Sequence, residues 1–109
     1  MNEQIYEICD RILSCVDAER IFLFGSYAYG TPREDSDYDF YVVLPDDSLL
    51  KPINALQKIN RHLAQYKMDI PIDVHANYKH RFDALSTQPT MMKTIAKKGI
   101  ILYERDRNS

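Results

Sequence analysis

Gly25-Ser26-Tyr27-Ala28-Tyr29-Gly30-Thr31-Pro32-Arg33-Glu34-Asp35-Ser36-Asp37-Tyr38-Asp39 is the stretch on which the reading of this chain turns. It follows the apolar run Ile21-Phe22-Leu23-Phe24 and leads into a second strand-like run over residues 38–44. The Gly-Ser pair therefore forms the turn at the end of one strand, and two acids spaced i, i+2 open the next. Successive side chains on a strand alternate faces, so Asp37 and Asp39 point to the same side. Carboxylates held side by side repel and resist desolvation unless a cation lies between them. A hard divalent ion with oxygen ligands suits that place. A turn that can offer backbone N–H groups to phosphate, beside such a pair, is equipment for phosphoryl or nucleotidyl transfer.

Outward from this stretch, apolar periodicity lays out the rest of the chain. Ile5, Ile8, Cys9, Ile12, Cys15 and Val16 follow helical spacing, which predicts an amphipathic helix over residues 3–17. The four consecutive apolar residues 21–24 suit a central strand buried on both faces. A helical turn near residues 26–29 is ended by Gly30 and Pro32. Residues 49–66 place Leu49, Ile53, Leu56, Ile59, Leu63 and Tyr66 on one predicted helix face, with Pro52 in the first turn. Ile70, Ile72 and Val74 alternate with Pro71, Asp73 and His75, the pattern of a half-buried strand. A short helix over 78–85, a helix opened by Pro89 and closed by Gly99, and a last strand over 100–103 complete the order. The polar residues 104–109 are expected to fray. The fold class is α/β (α+β): one domain over residues 1–109, with a mixed β-sheet flanked by helices.

Composition narrows the function. With 109 residues, 45% hydrophobic and 28% charged, the chain is expected to be a single soluble domain. A net charge of −2 argues against a broad basic surface for nucleic acid. No apolar run spans a membrane and no signal sequence is apparent, so the expected location is cytoplasmic. Cys9 and Cys15 on one helix lie roughly 9 Å apart, too far for a disulfide. They read as free thiols.

Asp73 adds a third carboxylate. If its strand neighbours that of Asp37 and Asp39, three carboxylates converge on one side of the sheet. They supply oxygen ligands for two Mg2+ ions, completed by phosphates and water. One ion holds a triphosphate and the other polarises an attacking hydroxyl, with Asp73 as ligand or proton acceptor. His75 shares this face and reads as a surface histidine. Lys79, His80 and Arg81 read as a solvated helix face. Tyr27 and Tyr29 stand where a base could stack.

Gly25, Ser26, Gly30, Ser36, Asp37, Asp39 and Asp73 follow a recognisable order: Gly-Ser, a Gly four residues on, a polar spacer ending in Ser, Asp-x-Asp, and a distant Asp on a later strand. In this the chain resembles the nucleotidyltransferase superfamily related to DNA polymerase beta, and more narrowly its minimal bacterial and archaeal members. The ending Gly99-Ile100-Ile101-Leu102-Tyr103-Glu104 is similar to their closing strand. The resemblance implies the small nucleotidyltransferase fold. It further implies nucleotide binding by Gly25, Ser26, Gly30 and Ser36, and catalysis and metal binding by Asp37, Asp39 and Asp73. Many minimal members carry Arg before the second Gly, where this chain has the uncharged Tyr29. Arg33 or a lysine is the alternative cation.

Family members transfer a nucleoside monophosphate to diverse acceptors, and 109 residues leave no room for a separate acceptor domain. The resemblance therefore implies AMP transfer from ATP to a hydroxyl of a helical HEPN-type partner protein, as the antitoxin of a toxin–antitoxin pair. A homo-oligomer is compatible with this. Two alternatives stand beside it. One is a non-catalytic nucleotide-binding or neutralising antitoxin. The other is an aminoglycoside-type nucleotidyltransferase, for which Asp46 and Asp47 would supply acidity.

Overall fold

A computed structural model describes residues 2–106. Among them the elements run α1 (Glu3–Cys15), β1 (Arg20–Phe24), α2 (Ser26–Tyr29), β2 (Tyr38–Leu44), α3 (Pro52–Leu63), β3 (Ile72–Tyr78), α4 (Lys79–Leu85), α5 (Met91–Lys98) and β4 (Ile100–Glu104). The strands form one sheet in the order β3-β2-β1-β4. β1 is antiparallel to β2 and β4, whereas β2 and β3 are parallel. The mixed α+β architecture expected from the sequence is the one observed.

The sheet is covered on both faces. Ile21 and Leu23 of β1, with Tyr38, Phe40, Val42 and Leu44 of β2, pack against α1 and α3. Phe22, Phe24, Tyr41 and Val43 point the other way, toward Phe82 of α4 and Ile95 of α5. Helix α1 starts where the Asn2 side chain accepts from the Gln4 N–H at 2.8 Å, a conventional N-cap. It buries Ile5, Ile8, Cys9 and Ile12, each aliphatic side chain contributing about 1.5–3 kcal/mol of burial free energy.

One buried tyrosine sets the phase of β2. Tyr38 is fully buried on the α1 face. Its hydroxyl donates to Gln4 Oε1 at 3.1 Å and accepts from Asn2 Nδ2 at 2.7 Å, and its ring meets Tyr27 edge-on at 4.7 Å. A one-residue slip would expel this ring and flip every neighbour. Asp39, next along the strand, is thereby committed to the opposite face.

Several expected details are corrected. Helix α3 does not pack through Leu49 and Ile53: both are exposed, Leu49 fully and Ile53 at 60%. The inward stripe is Ala55, Ile59 and Leu63, spaced i, i+4, i+8. Small Ala55 is fully buried where α3 meets the core shared with α1, whereas Leu49 precedes the helix. Strand β3 begins at Ile72 rather than Ile70 and continues to Tyr78, because Ala76, Asn77 and Tyr78 pair with Val42, Val43 and Leu44 of β2. Helix α5 starts after Thr90 rather than at Pro89. The polar end is tied down as far as it is described. Glu104 belongs to β4, the Arg105 N–H donates to the Glu19 carbonyl at 2.9 Å, and its side chain is ion-paired with Asp17. Residues 107–109 of the expected frayed tail lie outside the described residues.

Cys9 is buried and Cys15 half-buried, both as free thiols. Burial pushes the Cys9 thiol up to about 11, which leaves it protonated and unreactive at neutral pH. Among the described residues no helix is long and apolar enough to cross a membrane.

Candidate active site

Three adjacent backbone positions are brought together by strand register. Phe24, the last residue of β1, lies opposite Asp39 of β2, and Asp39 lies opposite Asp73 of β3. The turn that leaves β1 therefore starts beside one carboxylate, with a second on the next strand. Gly25 has φ 75° and ψ −163°, a region essentially restricted to glycine. A Cβ on Gly25 would come within 3.0 Å of the Asp39 Cγ and overlap its Oδ2. Gly25 thus permits both the backbone path and the close approach of the carboxylate. Helix α2 opens directly at Ser26, and its carbonyls begin to be used at once: Gly25 O accepts from Ala28 and Tyr29 N–H groups, both at 3.0 Å. The N–H groups of Ser26 and Tyr27, which precede those two donors, have no intrahelical acceptor by construction. Gly30 then ends α2 in a left-handed conformation, φ 81°.

Asp37, Asp39 and Asp73 interact electrostatically on this surface. Burial pushes the Asp39 carboxyl above its ordinary value, and the charges of Asp73 and Asp37 push it further, opposed only by His75. Such a carboxylate gains stability from an added cation. The donor set is oxygen-only at its centre, the chemistry that suits Mg2+. Among the described residues no group of three or more acidic, histidine or cysteine side chains is placed to hold a metal ion, so the expected convergence of three carboxylates on one ion is not formed by the protein side chains alone. Mg2+ ordinarily uses one or two carboxylates completed by substrate phosphates and water rather than an all-protein cage. The facing pair Asp39 and Asp73 fits the ion in donor type and in that smaller number.

Not every residue singled out from the sequence faces the carboxylates. The Ser36 hydroxyl accepts from the Arg33 N–H at 2.7 Å, while the Ser36 N–H donates to the Arg33 carbonyl at 3.1 Å. That side chain is engaged in shaping the 31–37 loop. The Tyr27 ring packs against buried Tyr38, so it serves the core rather than a base. Tyr29 is 38% exposed. Grooves of about 410 Å3, lined by Cys15, Leu44, Leu49, Leu50 and Lys58, and of about 360 Å3, lined by Leu63, Tyr66, Met68 and Ile72, lie away from the aspartates.

His75 is the residue that sequence reasoning undervalued. Its Nε2 lies 3.0 Å from Asp73 Oδ2, and its ring is parallel to that of Tyr41 and edge-on to Phe24. The i, i+2 spacing already placed it on the Asp73 face. The aromatic contacts come from β1 and β2, which no local pattern in the sequence of β3 reveals. His80, by contrast, is engaged by Asp46: its backbone N–H donates to Asp46 Oδ1 at 2.8 Å and its Nδ1 lies 2.7 Å from the same oxygen. Lys79 pairs with Asp83 at 3.1 Å.

This arrangement of fold and site defines a nucleotidyltransferase domain. The chain belongs to the polymerase beta nucleotidyltransferase family, whose model matches residues 3–108. No curated protein matches the sequence. Among solved structures, a candidate nucleotidyltransferase from Sulfolobus solfataricus superposes with a TM-score of 0.62 at 17% identity, covering 96% of this chain and 81% of its own. A toxin–antitoxin complex with AMP-PNP gives 0.61 at 19% identity, covering 99% and 77%. The toxin–antitoxin MntA–HpeT, with two aspartates spaced i, i+2 changed to glutamate, gives 0.61 at 22% identity over the same shares. At these identities the likeness is one of fold.

Proposed function

We propose that this protein is a magnesium-dependent nucleotidyltransferase that moves AMP from ATP to a hydroxyl of a partner protein, as the antitoxin of a toxin–antitoxin pair. The observation that carries this reading is the rung Phe24–Asp39–Asp73, which sets two carboxylates beside the Gly25–Ser26 turn. Family membership supports the reaction class. Two of the structurally similar proteins are toxin–antitoxin complexes, one of them with AMP-PNP, which supports the choice of nucleotide and of partner.

In this reading Gly25 and Ser26 hold the β- and γ-phosphates, with Gly30 and Ser36 maintaining the loop around them. Asp37, Asp39 and Asp73 hold the metal. Mg2+, when bound, offsets phosphate charge and polarises the acceptor hydroxyl. The acceptor oxygen forms a bond to the α-phosphorus as the bond from that phosphorus to the α–β bridging oxygen breaks. Pyrophosphate leaves with the bridging electron pair, and the hydroxyl proton passes to Asp73 or to water. The half-buried Asp39, crowded by like charge, is the carboxylate that gains most from the ion. The partner is a helical protein of the HEPN type, with a hydroxyl presented to the open aspartate surface.

The test is incubation of the full chain with α-labelled ATP, MgCl2 and the product of the neighbouring gene. Label on the partner, lost in Asp39→Asn, is the expected result. Absence of label, or label undiminished in that variant, overturns the catalytic reading.

Tyr29 favours a second reading, that of an antitoxin that neutralises its partner by covering it, because Tyr offers phosphate no positive charge. The two separate cleanly. If neutralisation depends on transfer, Asp39→Asn abolishes it while the complex still forms; if covering suffices, the variant still neutralises.

A further inference from the structure

We propose that His75 is a positioning residue that fixes the Asp73 carboxylate for nucleotidyl transfer; this rests on the reading of Asp73 as a catalytic carboxylate. The rungs of the β2–β3 ladder supply the geometry. Asp39 pairs with Asp73 and, two residues on, Tyr41 pairs with His75. His75 Nε2 reaches back along its own strand to Asp73 Oδ2 at 3.0 Å. A carboxylate only accepts, so Nε2 carries the hydrogen and the tautomer is fixed. With one lone pair of Oδ2 engaged, the carboxylate plane is oriented and its remaining lone pairs are held toward a metal or the acceptor's proton.

The bland account is an exposed ion pair of negligible worth, since both side chains are partly open to solvent, 40% for His75 and 55% for Asp73. The ring contacts argue against it. The imidazole is parallel to Tyr41 within 3°, with centroids 6.3 Å apart, and meets Phe24 edge-on at 5.6 Å. Tyr41 and Phe24 are themselves buried, and Tyr41 rests on Phe82, 5.1 Å away. The donor thus leans on the edge of the packed layer between sheet and α4, while the acceptor has no such ring contacts and is the more exposed of the two. That asymmetry is what a positioning contact needs: the ring supported by its neighbours restrains the more exposed carboxylate.

The test uses three full-length variants. His75→Phe keeps the aromatic packing and removes the donor. His75→Gln keeps an N–H donor without the ring, and His75→Ala removes both. Label transfer from ATP to the neighbouring gene's product is measured with MgCl2, and Tm is followed in parallel. His75→Phe is expected to melt like the wild type and to lose about tenfold in kcat with KM for ATP unchanged, the signature of a misplaced reacting group. His75→Gln should recover part of kcat relative to His75→Ala. Independently of activity, the imidazole nitrogens in a 1H–15N spectrum should report the Nε2–H tautomer, and Asp73→Ala should shift it toward a mixture. Wild-type kcat in His75→Phe, equal losses in Gln and Ala, or a tautomer indifferent to Asp73→Ala each overturn the proposal. If His75→Phe melts early, the Gln–Ala comparison and the spectrum decide. An inactive wild type overturns the reading of the reaction and this proposal with it; an active wild type beside unaltered His75→Phe overturns this proposal alone.

Discussion

The Asp39 carboxylate occupies the space that a Cβ on Gly25 would need, with its Cγ 3.0 Å from that position. The contact follows from register, because Phe24 and Asp39 are opposite one another and Gly25 is the next residue of the chain. Glycine is therefore required here twice, by its φ of 75° and by its neighbour.

Gly25→Ala is accordingly expected to lower stability by about 1–3 kcal/mol from backbone strain alone, and to displace Asp39 so that transfer activity is lost. Gly30 supplies the control. Its φ is 81°, but a Cβ there meets nothing within 4 Å, so Gly30→Ala should cost only about 1–2 kcal/mol and keep measurable activity. Urea unfolding and label transfer, measured on both variants, check the contrast. Equal losses of activity would remove the special role assigned to the Gly25–Asp39 contact.

The raised Asp39 carboxyl makes a pH prediction whose sign is fixed. A carboxyl raised in the folded state binds its proton more tightly there than in the unfolded chain. Stability contributed by this group is then undiminished below the ordinary carboxylate value of 3.8, falls as pH rises through the window above it, and is fully lost once the group has ionised in both states. Asp39→Asn escapes the penalty. It should melt a few degrees above the wild type at pH 7, with the gap closing below the ordinary value. Asp46 and Asp83 shift the opposite way, but they are common to both proteins and cancel in the difference. A variant that melts lower at pH 7 contradicts the crowding of the aspartates.

Mg2+ should relieve the same penalty. Saturating a site at one hundred times its Kd stabilises by about 2.7 kcal/mol, so MgCl2 should raise the wild-type Tm and its removal by EDTA should reverse the shift. Asp39→Asn should respond weakly or not at all. Equal responses in the two proteins would place the ion elsewhere.

How much of this was legible in the sequence depends on how local the cause is. Residues 25–39 carry their own instructions: Gly25 and Gly30 bracket a four-residue helix, and the buried Tyr38 sets the phase of the aspartates on either side of it. On α3 the periodicity rightly places Leu56, Ile59 and Leu63 against the core, but Leu49 and Ile53 advertise hydrophobicity while standing exposed, and packing selects small Ala55 in their stead. The far end of β3 was missed because Ala76 and Asn77 have little strand preference of their own and are held by pairing to Val42 and Val43. His75 is a partly exposed histidine on the Asp73 face, as its spacing implies, but its ring contacts are not legible for a similar reason: Tyr41 and Phe24, which lie more than thirty residues away in sequence, supply them.

The contrast between a buried aromatic and an exposed leucine can be tested on stability. Phe82 is 1% exposed and stacks on Phe22 at 5.4 Å, with Tyr41 at 5.1 Å. Phe82→Ala should cost about 3–5 kcal/mol, a large share of the 5–15 kcal/mol typical of a domain. Leu49→Ala, at a fully exposed position, should change stability by no more than about 0.5 kcal/mol. Chemical denaturation with an unchanged m-value is the measurement. A costly Leu49→Ala would mean that Leu49 is covered in solution.

Tyr29 is where the grip on triphosphate can be altered without touching the carboxylates. It is the last residue of α2, its N–H bonds back to the Gly25 carbonyl at 3.0 Å, and its side chain is 38% exposed. An arginine there would stand one short helix from the turn assigned to the phosphates, on the open side of the chain. A charge-assisted hydrogen bond to phosphate contributes roughly 1.5–3 kcal/mol when well formed. At an exposed position part of this is lost to screening, and about 1.4 kcal/mol, or a tenfold fall in KM for ATP, is the expected gain for Tyr29→Arg. The gain should shrink as salt is raised, while kcat and Tm stay close to the wild type. Steady-state transfer at low and high ionic strength checks it. If KM is unmoved at low salt, the side chain at position 29 does not reach the phosphates, and Arg33 becomes the residue to vary.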